Sequence, residues 1–166
     1  MFALKPISSD SLSGALAKAE RYRLLNEPEE AESICRDILS VAPANQQAFI
    51  SLILALTDQI GHDPHAFNHA LDAIECLTLP YDRAYYAGIA WERRAKARYE
   101  GGGQGAQHYV YDWILQAMDL FEKAESLRPP ENDDALLRWN ACVRYLARHK
   151  SLCQGTEEMA EPIVLE

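Results

Sequence analysis

No stretch of this sequence approaches the run of about eighteen apolar residues that a membrane-spanning helix requires, so no membrane span is expected. Basic residues are scarce, with 16 Lys and Arg against 25 Asp and Glu. The resulting net charge of −9 argues against nonspecific nucleic-acid binding, which needs a positive field. No CxxC pair occurs: Cys35, Cys76, Cys142 and Cys153 are scattered, and buried free thiols are expected. There is also no GxGxxG, no phosphate loop and no GxSxG. The glycine run from Gly101 follows a helical pattern rather than a strand, so it lacks the setting of a phosphate cradle. The opening MFALKPISSDSLSG has one lysine and no extended apolar core, which does not read as a signal peptide. A cytoplasmic protein is expected, with no membrane association, no cofactor and no enzymatic activity.

What is present is helical. Apolar residues recur at spacings of three and four almost throughout, as on one face of a helix, and the chain reads as all-α. Leu12, Ala15, Ala19 and Tyr22 mark a first helix, and Ala31 to Leu39 a second that Pro43 stops. Asn45 is placed to cap a third, and Asp63 with Pro64 to open a fourth that ends at Pro80. A fifth spans roughly Tyr81–Tyr99 and a sixth roughly Gln107–Leu127. Asn132 or Asp133 caps a seventh that runs to about His149. These bounds define a flexible lead (1–11), a helical domain (12–149) and an acidic, mostly disordered tail (150–166).

Two stretches repeat one spacing. They are AESICRDILSVAPANQQAF from Ala31 and AMDLFEKAESLRPPENDDA from Ala117. In each, a small residue is followed by Cys35 or Phe121, then by Ile38 or Ala124, and then by Pro43 or Pro129 ahead of a capped helix. Ala19 with Tyr22, and Gly88 with Trp91, add small-then-aromatic pairs. This pattern resembles the tetratricopeptide repeat over Leu12 to about Ala147, with Trp139 standing where a small residue is usual. ERRAKA from Glu92 and RPPENDDALLRWN from Arg128 are also similar to a group of bacterial proteins of this type. The resemblance implies an α-solenoid of about seven helices in antiparallel pairs, wound into a right-handed superhelix, with the first helix of each pair lining a concave groove.

The densest cluster of metal-ligating side chains is GHDPHAFNHALD, from Gly61, which holds His62, His65 and His69. His65 and His69 share a helix face at a spacing able to chelate zinc. No HExxH glutamate lies between them, and an N-cap at Asp63 with a wet helix face explains each residue, so no metal site is expected.

Charge marks the other candidate. The fifth helix carries Arg83, Arg93, Arg94, Lys96 and Arg98 against Asp82 and Glu92, a local 5 − 2 = +3. On the implied geometry Tyr85, Tyr86, Ile89, Arg93 and Lys96, with Leu136, Asn140 and Arg144 of the seventh helix, line the groove. Such a lining suits a protein or peptide partner of acidic character. The bland alternative pairs these bases with Glu92 or the acidic tail. The function expected is a non-catalytic interaction scaffold. The other reading is a structural subunit that self-associates, as a homodimer, through convex or terminal faces, Tyr111 and Trp113 among them.

Overall fold

A computed structural model describes residues 2–102 and 106–152. Within them lie seven α-helices and no strand: α1 (Leu12–Leu24), α2 (Pro28–Val41), α3 (Gln46–Asp58), α4 (Ala66–Glu75), α5 (Pro80–Gly101), α6 (Ala106–Leu127) and α7 (Asp134–Arg148). The chain is all-α, as its periodicity predicts. Of the expected tail, 153–166 lie outside the described residues. Of the expected lead, residues 2–11 are irregular apart from one 3-10 turn at Ser9–Ser11.

The helix ends follow from local chemistry. After α1, Asn26 takes a left-handed φ of 60°, and the Glu27 N–H reaches back to the Tyr22 carbonyl at 2.9 Å. Pro28 then opens α2, where a missing N–H costs nothing, and Glu29 and Glu30 suit the positive end of the helix dipole. Asn45 caps α3, its side chain accepting from the Ala48 N–H at 3.0 Å.

Two expected boundaries shift. Asp63 closes a turn instead of capping α4: its Oδ1 accepts from the His65 N–H at 2.9 Å, and the helix starts at Ala66. Pro80 begins α5 at its first position, while α4 has already ended at Glu75. At α7 the side chain that accepts is Asn132, from the Asp134 N–H at 2.9 Å, not Asp133.

Each helix packs on the next in the chain, and α1 also touches α3, which touches α5. Along α5 and α6, Gly88 lies against Phe121 and Arg94 against Trp113, so the two run antiparallel. Along α5 and α7, Tyr81 meets Asn132, Glu92 meets Arg138 and Tyr99 meets Tyr145, so these two run parallel. One core joins α1 to α5 around Cys35, Ile53 and Leu56, and a second joins α5 to α7 around Ile114, Phe121 and Cys142. Tyr86 and Trp91 pack against both, which makes α5 the wall they share.

Burial decides thiol chemistry. Cys35 and Cys142 are fully buried and desolvation pushes both thiols up to about 12, whereas Cys76 is exposed. Only the thiolate reacts with alkylating agents. Among these three, iodoacetamide at pH 8 should therefore label Cys76 in the native protein. Cys35 and Cys142 should follow only in denaturant, as read by peptide mass spectrometry.

Candidate functional site

The odd-numbered helices meet along a row of charged side chains. Asp58, in the last turn of α3, accepts from Arg23 Nε of α1 at 2.9 Å and from Arg93 Nη1 of α5. An acid at a helix C-terminus opposes the dipole, and here two guanidinium groups offset it. Arg93 also donates to the Leu54 carbonyl at 3.2 Å and to Thr57 Oγ1 at 2.6 Å, so it closes the end of α3. Burial lowers the Arg93 pKa, and Asp58 works against that shift.

The row continues towards α7. Glu92 of α5 is 1% exposed, and its two oxygens pair with Lys96 and, at 3.4 Å, with Arg138. Desolvation opposes the charge on Arg138, but Glu92 and the Tyr85 hydroxyl outweigh it and raise the pKa. Lys96 also stands 5.4 Å from the Tyr145 ring, a favourable place for a cation. Four cations thus share two carboxylates, leaving 4 − 2 = +2 along the row.

The predicted groove residues divide accordingly. Arg93 is taken up by Leu54, Thr57 and Asp58 of α3, and Lys96 by Glu92 on its own helix, so the alternative pairing with Glu92 describes Lys96 and not Arg93. Ile89 is 2% exposed and packs in the α5–α7 core, which corrects its assignment to the groove surface. Tyr85 and Tyr86 are half-buried and in ring contact at 5.1 Å, and burial pushes the Tyr86 hydroxyl up to about 12. Leu136 and Asn140 are half-buried on α7, and Arg144 is exposed. Tyr111 and Trp113 are half-buried against the second core.

The histidines do not converge. His62 lies 3.2 Å from Glu29 of α2, while His65 and His69 sit on exposed positions with ring centroids 6.1 Å apart. Among the described residues no three His, Cys, Asp or Glu side chains are grouped to hold a metal ion.

A second feature escaped the pattern reading, which counted Arg94 only towards a charge balance. Arg94 lies over the rings of Phe67 (4.1 Å), Trp113 (4.2 Å) and Trp91 (5.2 Å), at the edge of a cleft of about 330 Å³. Its spacing of one turn from Trp91 was the available signal.

No family model, curated protein or solved structure matches the chain.

Proposed function

We propose that the protein is a non-catalytic, tetratricopeptide-like helical-repeat scaffold that holds a protein or peptide partner on the face formed by α1, α3, α5 and α7. One observation carries this reading. Arg23, Asp58 and Arg93, joined side by side, are separated by 35 residues and again by 35, so one position recurs in three successive helix pairs. A period near this value is what tetratricopeptide units show. The step from Glu92 to Arg138 is 46 residues, consistent with a third unit lengthened by the 22-residue helices α5 and α6. Stacked pairs of this kind wind into a right-handed solenoid, and the parallel course of α5 and α7 fits it.

The groups left to meet a partner are Tyr85, Tyr86, Leu136, Asn140 and Arg144, under the net positive charge of the row. Charge steers such a partner, and the aromatic and aliphatic groups anchor it, because exposed ion pairs contribute only ~0.2–1 kcal/mol each. Free thiols at Cys35, Cys76 and Cys142 fit a reducing compartment such as the cytoplasm.

Charge reversal at Arg93 and Lys96 is a poor test, since both hold the fold together. Asn140 and Arg144 make no such cross-helix bond among the described residues. A partner recovered from native lysate by the wild-type chain should be lost with Asn140→Ala plus Arg144→Glu, at an unchanged helical circular dichroism signal. Retention of that partner would count against this face. A second reading has its own support: Leu137 and Val143 on α7 are 63% and 39% exposed. Light scattering that shows a dimer, converted to monomer by Leu137→Glu, would move the function to self-assembly.

A further inference from the structure

The half-buried arginines between the odd helices each end on a carboxylate, Arg23 and Arg93 on Asp58 and Arg138 on Glu92. Arg94 does not. It sits on the side of α5 that packs against α4 and α6, over Phe67 and Trp113, with no ion pair or hydrogen bond to any described residue. Desolvation lowers its pKa, and no carboxylate among the described residues offsets the shift.

Aromatic rings attract the face of a guanidinium but accept none of its in-plane N–H groups. Three rings around its Cζ therefore hold Arg94 in place without giving its N–H groups a lone pair to bond. Every fully buried side-chain N and O atom among the described residues has a hydrogen-bond partner. With no acceptor among the described residues, the donors of Arg94 are open to a ligand, and Arg94 lines the cleft beside it.

The cleft is bounded by the turn at Pro64, the first turn of α4, the last turns of α5 and Trp113 of α6. Ile60, Pro64, Phe67 and Trp113 give it an apolar wall. Arg98 stands one turn beyond Arg94 at the exposed rim, and among the described residues Asp63 is the single acid of the lining, its Oδ1 already taken by the His65 N–H. The charge of the lining is 2 − 1 = +1. A volume of about 330 Å³ lies at the small end of ligand sites, which run to roughly 1,000 Å³.

We propose that this cleft binds a small organic monocarboxylate, its carboxylate held by the in-plane fork of Arg94 and its apolar body lying against Pro64, Phe67 and Trp113. A planar fork matches a carboxylate with two parallel hydrogen bonds, and a fork immobilised beforehand loses little freedom on binding. A net charge of +1 suits a monoanion better than a phosphate dianion. The site is separate from the partner-binding face, so each stands or falls alone.

The test is a titration of the full, isotope-labelled chain with sodium hexanoate, followed through the Arg94 Nε–H and tryptophan indole resonances. Controls are 1-hexanol and inorganic phosphate. Hexanoate should produce saturable shifts at Arg94 and Trp113 and leave Trp139 unmoved. Hexanol should produce none, and phosphate should bind about ten-fold more weakly or worse. Arg94→Lys keeps the charge and loses the fork, and should weaken hexanoate about ten-fold or more. Equal affinity for hexanol or phosphate, or unchanged affinity in Arg94→Lys, overturns the proposal. Should Arg94→Lys fail to fold, the wild-type comparison of hexanoate with hexanol decides it.

Discussion

Replacing Lys96 and Arg138 together by Met should destabilise the protein by about 3–5 kcal/mol, while Glu92→Leu alone should cost about 1 kcal/mol or less. The asymmetry follows from where the charges sit. Glu92 is 1% exposed, whereas the side chains of Lys96 and Arg138 are each 35% exposed. Without the two cations, a carboxylate stays behind in the core with nothing to neutralise it. Without Glu92, the cations can swing into water, and a leucine fills most of the space the glutamate left. Urea unfolding at constant m-value measures both, and the double variant should melt roughly ten degrees or more below wild type. Equal losses in the two variants would mean that Glu92 contributes through attraction, not through the cost of stranding it.

The helices themselves were legible because burial on one side imposes a 3.6-residue period and prolines punctuate it. Pro80 shows the ambiguity of such punctuation: the same missing N–H that ends one helix is harmless at the first position of the next, which is where it sits. Period reading fails along α5, which is covered on several sides. Ala84, Gly88, Ile89, Ala90, Glu92 and Ala95 are all buried, and they do not form a single stripe. The period accordingly puts Ile89 on a surface it does not reach, and it gives no sign that Glu92 is buried. Asp58 was passed over although it carried a signal, since an acid in the last turn of a helix needs cations close by. Arg23 and Arg93 supply them, and no rule of local spacing points to partners 35 residues away on either side. Arg94 was hidden for the same reason: its meaning lies in Phe67 and Trp113, which only the packing of α4 and α6 around α5 brings to it.

Packing of α5 on α6 turns on the contact of Gly88 with Phe121. A Cβ added at Gly88 would stand 2.5 Å from Cε1 and 2.7 Å from Cδ1 of Phe121, closer than real atoms approach. Phe121 is 0% exposed, ringed by the α5–α7 core, and has little room to retreat. Gly88→Ala should gain about 1 kcal/mol of helix propensity and lose more to overpacking, for a net cost of roughly 1–2 kcal/mol. Phe121→Ala removes the ring and leaves a cavity, at about 3–5 kcal/mol. The two changes should not add. In the double variant the alanine methyl enters space the ring has vacated and keeps its propensity gain. The combined cost should then fall below the sum by ~1 kcal/mol or more, the coupling expected of groups in contact. Chemical denaturation of the four proteins closes the cycle. Strict additivity would show that Phe121 moves aside without cost, and that the close approach of α5 to α6 does not depend on a glycine at this position.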